Sequence, residues 1–219
     1  MDAVRSAMVL VAHTDDETLG CGATAALLAG RGWDVDVVIL TDGVITARGG
    51  DPIDNREQCD QACELLGIKP PTLLGFPDQQ LDRESLTDLS TAVADLGRSP
   101  DLIITHSDHD LNVDHRLTAE VARIVARPLR KPVALLACEI PANTAWNGVA
   151  FPANYYVDVT DTIDTKIEAF ACYRDEVQPS PGPLSLDGLR RLAELHGAHI
   201  GVGAAEAFTL IRGIDGRLP

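Results

Sequence analysis

Three features of the sequence predict an α/β fold, a Rossmann-like and mostly parallel sheet with helices on both faces. Short, wholly apolar runs alternate with longer stretches of helical periodicity. The apolar runs lack the in–out alternation of a half-exposed strand, as expected of strands covered on both sides. The polar clusters follow the apolar runs, where ligands bind in an open parallel sheet, beyond the carboxyl ends of the strands. With 219 residues, no long linker, no internal repeat and no low-complexity segment, residues 1–219 read as a single domain.

In chain order, AMVLVAH reads as a buried strand and DETLGCGATAALLAGRG as a helix stopped by Gly30 and Gly32. VDVVILTDG is a second strand. DNREQCDQACELLGI is a helix with Asp54 or Asn55 as N-cap and Gly67 as stop. PTLLGFPD gives a third short strand, LTDLSTAVADLGR a helix and DLIITHS a fourth strand. DHRLTAEVARIVARPL is a helix leading to strand VALLACEI. From about residue 141 the pattern loosens into a less regular C-terminal part. There PANTAWNGVAFPA reads as loop, YYVDV as strand, TIDTKIEAFACYRDEV and LDGLRRLAELHGAHIG as helices, and EAFTLIRGI as the last strand.

Composition narrows the function. A net charge of −15 repels nucleic acid and anionic membranes, so neither is an expected partner. The five cysteines are scattered with no CxxC pair, a poor disulfide or zinc-finger framework. The opening MDAVRSAMVLVAHTDD reaches acids too soon for a secretory leader, and no apolar run is long enough to span a bilayer. A cytoplasmic enzyme or binding protein is expected.

Three polar clusters fall at strand ends: His13-Asp15-Asp16, Thr41-Asp42-Gly43, and HSDHDLNVDH over 106–115. His13 and Asp16, three apart across a strand-to-helix turn, can converge on one point. A histidine such as His115 completes two histidines and one carboxylate, a set that leaves catalytic zinc an open position. A neighbouring carboxylate can then take a proton from bound water. The plain alternative is that acids at helix starts only cap and complement the helix dipole. A dinucleotide fingerprint, GCGATA with Asp42 downstream, is disfavoured because HTDDETL separates it from the strand. Its three carboxylates would occupy the place of a pyrophosphate. Gly20, Gly22 and Ala25 then read as close helix–sheet packing. His196 and His199 read as a surface pair at a helix end, and Trp146, Tyr155 and Tyr156 as candidate lining of a sugar pocket.

AHTDDETLGCGAT resembles the AHPDDE motif of the LmbE-like (PIG-L) metal-dependent N-deacetylases. The resemblance continues through VVILTDG, NREQCDQACELLGI, GFPDQQLD, THSDHDLNVDHR and AEAFTLIR, nearly the whole chain in order. It implies an LmbE-like fold, with Zn2+ held by His13, Asp16 and His115, and Fe2+ or Mn2+ as alternative ions. Asp15 would be the general base, Asp114 the acid supporting the last ligand, and Arg56 and Asp78 substrate-binding residues. The implied reaction removes an acetyl group from the amine of an N-acetylated amino sugar or glycoside. The alternatives are amide cleavage of a larger sugar-thiol conjugate and a non-catalytic metal- or sugar-binding homologue. The partner is a small molecule, and self-association as a homo-oligomer stays open. Two departures matter. Thr14 stands where the family has proline, and Asn112 where many members have a histidine thought to act on the amide oxygen. Asn112 can donate to an oxyanion but delivers no proton, which leaves Asp15, His109 or His106 for that task. Gly182-Pro183-Leu184-Ser185 also lacks the cation that relatives carry in a His-Pro-Arg-Ser-like stretch.

Overall fold

The computed structural model describes residues 4–45 and 51–219; residues 1–3, the start of the opening run MDAVRSAMVLVAHTDD, lie outside it. Seven strands form the main sheet: β1 (Ser6–Val11), β2 (Asp34–Thr41), β5 (Thr72–Phe76), β6 (Leu102–His106), β7 (Ala134–Cys138), β8 (Tyr155–Asp158) and β9 (Ala205–Arg212). Their order is β5-β2-β1-β6-β7-β9-β8. The first five run parallel, and β9 pairs antiparallel with both β7 and β8. A separate two-stranded hairpin joins β3 (Val44–Ile45) to β4 (Ile53–Asp54).

Each apolar run serves two cores. On β1 and the residue after it, Ala7, Val9 and Val11 enter one hydrophobic cluster, while Met8, Leu10 and Ala12 enter the other. Period-two alternation with both faces covered explains why no polar residue interrupts the run. The first face is covered by α1 (Asp16–Gly30), α2 (Arg56–Leu66), α6 (Ile163–Phe170) and α7 (Leu186–Ile200). The second is covered by α3 (Leu86–Asp95) and α4 (Val113–Val125). Because β2 and β5 lie to one side of β1 and β6 and β7 to the other, the strand order reverses between β1 and β6. That crevice, outside the strand carboxyl ends, is where open α/β sheets bind ligands.

Helix α1 is broken. Cys21 leaves helical geometry at φ −153, ψ 20, which exposes a carbonyl on one side of the break and amides on the other. A buried ion pair fills both needs. Glu206 of β9 accepts from Ala23 N at 3.2 Å and Thr24 N at 2.7 Å. Lys166 of α6 donates to Leu19 O at 2.8 Å and pairs with Glu206 at 2.6 Å. Ahead of the break, Gly20 lies so close to β7 that a Cβ there would sit 2.5 Å from Cys138 Sγ, which bears out its packing role. Gly22 is less constrained, its added Cβ meeting only ordinary contacts at 3.5 Å.

Two elements differ from expectation. Residues read as loop after β7 form a short helix, α5 (Pro141–Trp146), with proline at its first turn. The helix expected over 162–177 ends at Phe170, after which Tyr173 turns inward and becomes fully buried. Among the described residues no helix is long and apolar enough to cross a membrane.

Candidate metal centre

His13 follows β1 and Asp16 opens α1, while His106 ends the neighbouring β6 and His115 stands in the first turn of α4. All four are buried. His13 Nδ1 lies 3.1 Å from His115 Nε2 and 3.2 Å from Asp16 Oδ2, and His115 Nε2 lies 3.3 Å from Asp16 Oδ2. Ligand atoms about 2.0–2.1 Å from a tetrahedral ion stand roughly 3.3–3.4 Å apart, so the three donors fit one divalent cation. A second group, His106, Asp110 and His115, shares His115. It is the poorer holder. His106 Nε2 accepts the Ala12 amide at 3.0 Å, and Asn143 Nδ2 approaches Asp110 Oδ1 at 2.9 Å and His115 Nδ1 at 3.2 Å.

Outer carboxylates orient both histidines. His115 Nδ1 meets Asp110 Oδ2 at 3.1 Å. His13 Nε2 meets Asp114 Oδ2 at 3.2 Å, Gln79 Nε2 at 3.1 Å and Asp78 Oδ1 at 3.5 Å. Asp114 also accepts from Leu81 N at 3.2 Å. Its partner is therefore the first histidine, and the acid on the last one is Asp110. This carboxylate pairing with a histidine's far nitrogen is what metal ligands require for fixed orientation.

The charges follow from the same contacts. Burial alone would push His13 down, but its hydrogen bonds to Asp114 and Asp16 and the charges of Asp16 and Asp78 raise it to about 10. His115 is likewise pushed down by burial and raised, by Asp16 and Asp110, to about 9. Asp16 is held well below the usual carboxylate range by His115 and His106, which override its burial. Buried carboxylates thus hold extra positive charge at the histidines, a demand that a cation would also meet.

Asp15 is different. It is buried, and its backbone sits at φ 100, ψ −32, a conformation unusual outside glycine. Its side chain makes no capping bond to α1, so the plain helix-cap reading fails for it. Burial, then the charges of Asp16, Glu176 and Glu17, raise its carboxyl well above normal, with His13 opposing. Glu17 holds this turn. Its carboxylate accepts from Asp15 N at 3.0 Å, Thr18 Oγ1 at 2.6 Å and the Tyr173 hydroxyl at 2.6 Å.

The remaining expected residues are placed unevenly. Asp78 lies at the cluster, buried. Asn112 caps α4 by accepting from Asp114 N at 2.8 Å, and its amide donates to Gln79 Oε1 at 3.2 Å, one link from His13. His106 is stacked beneath His115 with ring centroids 3.9 Å apart and is fully buried. His109 is not drawn into the cluster; its ring is 65% exposed and lies 3.7 Å from Asp108. Arg56 is exposed and donates from Nε to Asp54 Oδ1 at 2.8 Å. Thr14 buries a hydroxyl with no hydrogen-bond partner among the described residues. Ser185, the end of the Gly182–Ser185 departure, is the N-cap of α7. His196 is not a surface residue, being largely buried against Glu139 at 2.8 Å. Tyr155 bonds Pro219 O at 3.2 Å, on the edge strand β8.

Gln79, Asn143 and the full weight of Asp110 and Glu17 are not evident from the sequence. Asp110 stands in the 106–115 run, and Pro141, a residue favoured in a helix's first turn, is the one local sign of the helix that carries Asn143. Gln79 gives no signal, since only the folded loop, at φ 55, turns it onto His13.

The sequence pattern of PIG-L, GlcNAc-PI de-N-acetylase, matches residues 8–126, which include every member of the cluster. The chain belongs to the PIG-L family. A PIG-L relative, the diacetylchitobiose deacetylase of Thermococcus kodakarensis, is 25% identical over 229 residues, spanning 96% of this chain and 85% of its own. The solved N,N'-diacetylchitobiose deacetylase of Pyrococcus horikoshii superposes with a TM-score of 0.75 at 22% identity, over 94% of this chain and 84% of its own. A 4-carboxy-2-hydroxymuconate hydratase from Pseudomonas putida superposes at 0.71 with 23% identity, over 96% and 98%. The PIG-L fold alone therefore does not select the reaction; the site must.

Proposed function

We propose that this protein is a metal-dependent hydrolase that removes the acetyl group from the amine of an N-acetylated amino sugar or glycoside. The observation that carries the reading is the convergence of His13, Asp16 and His115 within 3.1–3.3 Å of one another, beside a buried carboxyl that makes no structural cap. These three residues hold the ion, with Zn2+ the ion best matched to two imidazoles and one carboxylate, and Fe2+ or Mn2+ as alternatives. When bound, such an ion acidifies a water and polarises the amide carbonyl.

Asp15 takes the proton from the attacking water. A carboxyl raised by burial and neighbouring acids is a stronger base than an ordinary aspartate. The water oxygen bonds to the acetyl carbon, the C–N bond breaks, and Asp15 returns the proton to the departing amine, releasing acetate. Asn112 carries no proton to give, His106 is enclosed, and His109 faces solvent, so the same carboxyl serves both transfers. Asp114 and Asp78 keep His13 oriented and Asp110 keeps His115. Arg56, exposed beside the hairpin that follows β2, is the cation available to sugar hydroxyls or an anionic aglycone.

Acetate release from N,N'-diacetylchitobiose and N-acetylglucosamine, measured beside release of longer acyl groups from matched amides, tests the reading. Preference for the acetyl compounds is expected. Turnover confined to larger acyl groups would instead identify an amidase on bulky conjugates.

A further inference from the structure

A cavity of about 570 Å³ opens between α3 and α4, at the end of the sheet away from the His13–Asp16–His115 cluster. Its size is that of small-molecule sites, roughly 300–1,000 Å³. Met8, Ile103 and Val133 form an apolar floor toward the amino ends of β1, β6 and β7, with Val93 and Val125 on its walls. The metal cluster lies beyond the opposite ends of the same strands. Around the mouth stand Arg98, Arg127, Arg130 and Lys131. That is four of only 18 basic residues in a chain with 33 acidic ones.

Part of this charge has ordinary structural work. Arg127 Nε donates to Ile124 O at 2.9 Å near the end of α4, where cations suit the helix dipole. Lys131 pairs with Asp101 at 3.1 Å. The rest is not absorbed. Arg98 donates from Nη2 to Thr72 Oγ1 at 2.7 Å and its Nε lies 3.8 Å from Asp36, yet its Nη1 is buried with no hydrogen-bond partner among the described residues. A buried donor left open costs about 1–3 kcal/mol, so such groups call for an acceptor. Arg130 has neither an ion pair nor a hydrogen bond among the described residues.

We propose that this cavity binds an amphipathic anion, with a carboxylate or phosphate head against Arg98 and Arg130 and an apolar tail on the Met8–Ile103–Val133 floor. The site is separate from the metal cluster and does not depend on its chemistry.

Calorimetric titration with octyl phosphate, octanoate and 1-octanol tests the proposal. Saturable binding of at least one of the two anions is expected, about tenfold or more tighter than 1-octanol, as a charge-assisted contact to guanidinium provides. Whichever anion binds tighter identifies the head group. Arg130→Glu, an exposed inversion, should weaken that binding by about tenfold or more, as should Arg98→Met. His13→Ala, which dismantles the metal cluster, should leave it unchanged. Because Arg98 also holds Thr72, Arg130→Glu decides alone if Arg98→Met lowers the melting temperature. Failure of both anions to bind saturably, equal affinity for 1-octanol, survival of binding in Arg130→Glu, or its loss in His13→Ala would overturn the proposal.

Discussion

Asp15 combines two liabilities. Its φ of 100 places a side-chain-bearing residue where glycine is more at ease, and strain of this kind costs on the order of 1–3 kcal/mol. Its carboxyl also sits among Asp16, Glu176 and Glu17. An acid whose folded pKa is raised costs stability once the pH exceeds its unfolded value. Asp15→Asn keeps the shape and removes the repulsion. It should stabilise the fold by roughly 0.5–2 kcal/mol in urea denaturation, the usual gain from relaxing a strained site residue. At the same time it should lower turnover by about 10²–10⁴ through loss of the base, with the metal retained. A variant that is both destabilised and fully active would show that Asp15 is a structural acid. His13, Asp15 and Asp16 were legible as candidates because they directly follow an apolar run, and His115 because it closes the polar run 106–115 that follows another. Which acid serves which histidine was not legible, since that depends on how α4 packs over the loop holding Gln79 and Leu81.

At the scale of elements, α1 delivers Asp16 through a short first segment that the helix does not hold by itself. The break at Cys21 is bridged by Lys166 and Glu206, from two elements far along the chain. Removing one partner leaves the other charge buried without compensation, so Glu206→Gln or Lys166→Met should each cost about 3–5 kcal/mol. The double variant should cost clearly less than the sum of the two, which a double-mutant cycle of unfolding free energies would reveal. Strict additivity would mean that the pair is incidental. Gly20→Ala should also destabilise, by about 1–3 kcal/mol of overpacking, because Cys138 Sγ occupies the space its methyl needs; an unchanged unfolding midpoint would refute the close packing. The parallel strands were readable because apolar runs of that length have few other uses. The antiparallel insertion of β9 between β7 and β8 was not, because no local pattern specifies a long-range partner. The helix expected to run on to residue 177 ends early for the same reason. Nothing in CYRDE breaks a helix, but Tyr173 is drawn inward by its bond to Glu17.

For the molecule as a whole, the reversal of strand order between β1 and β6 brings residues about a hundred positions apart to one crevice and joins the cluster to global stability. His13 and His115 are raised to about 10 and about 9 from 6.5. Groups raised on folding contribute stability that is complete below pH 6.5 and lost as the pH climbs through those folded values. The metal-free protein should therefore lose stability between about pH 7 and 10. A cation competes with the same protons, so its affinity should rise over that range, by up to about 100-fold per pH unit if two protons leave. Titration against a competing chelator at several pH values reads this directly, and a flat profile would show that the histidines are not the ligands. The most direct test of a metal-dependent deacetylase is acetate release from N,N'-diacetylchitobiose before chelation, after chelation, and after return of a stoichiometric divalent ion. Activity that disappears with the metal and returns with it is the predicted result. Acetate release that persists in protein shown to be metal-free would contradict the account.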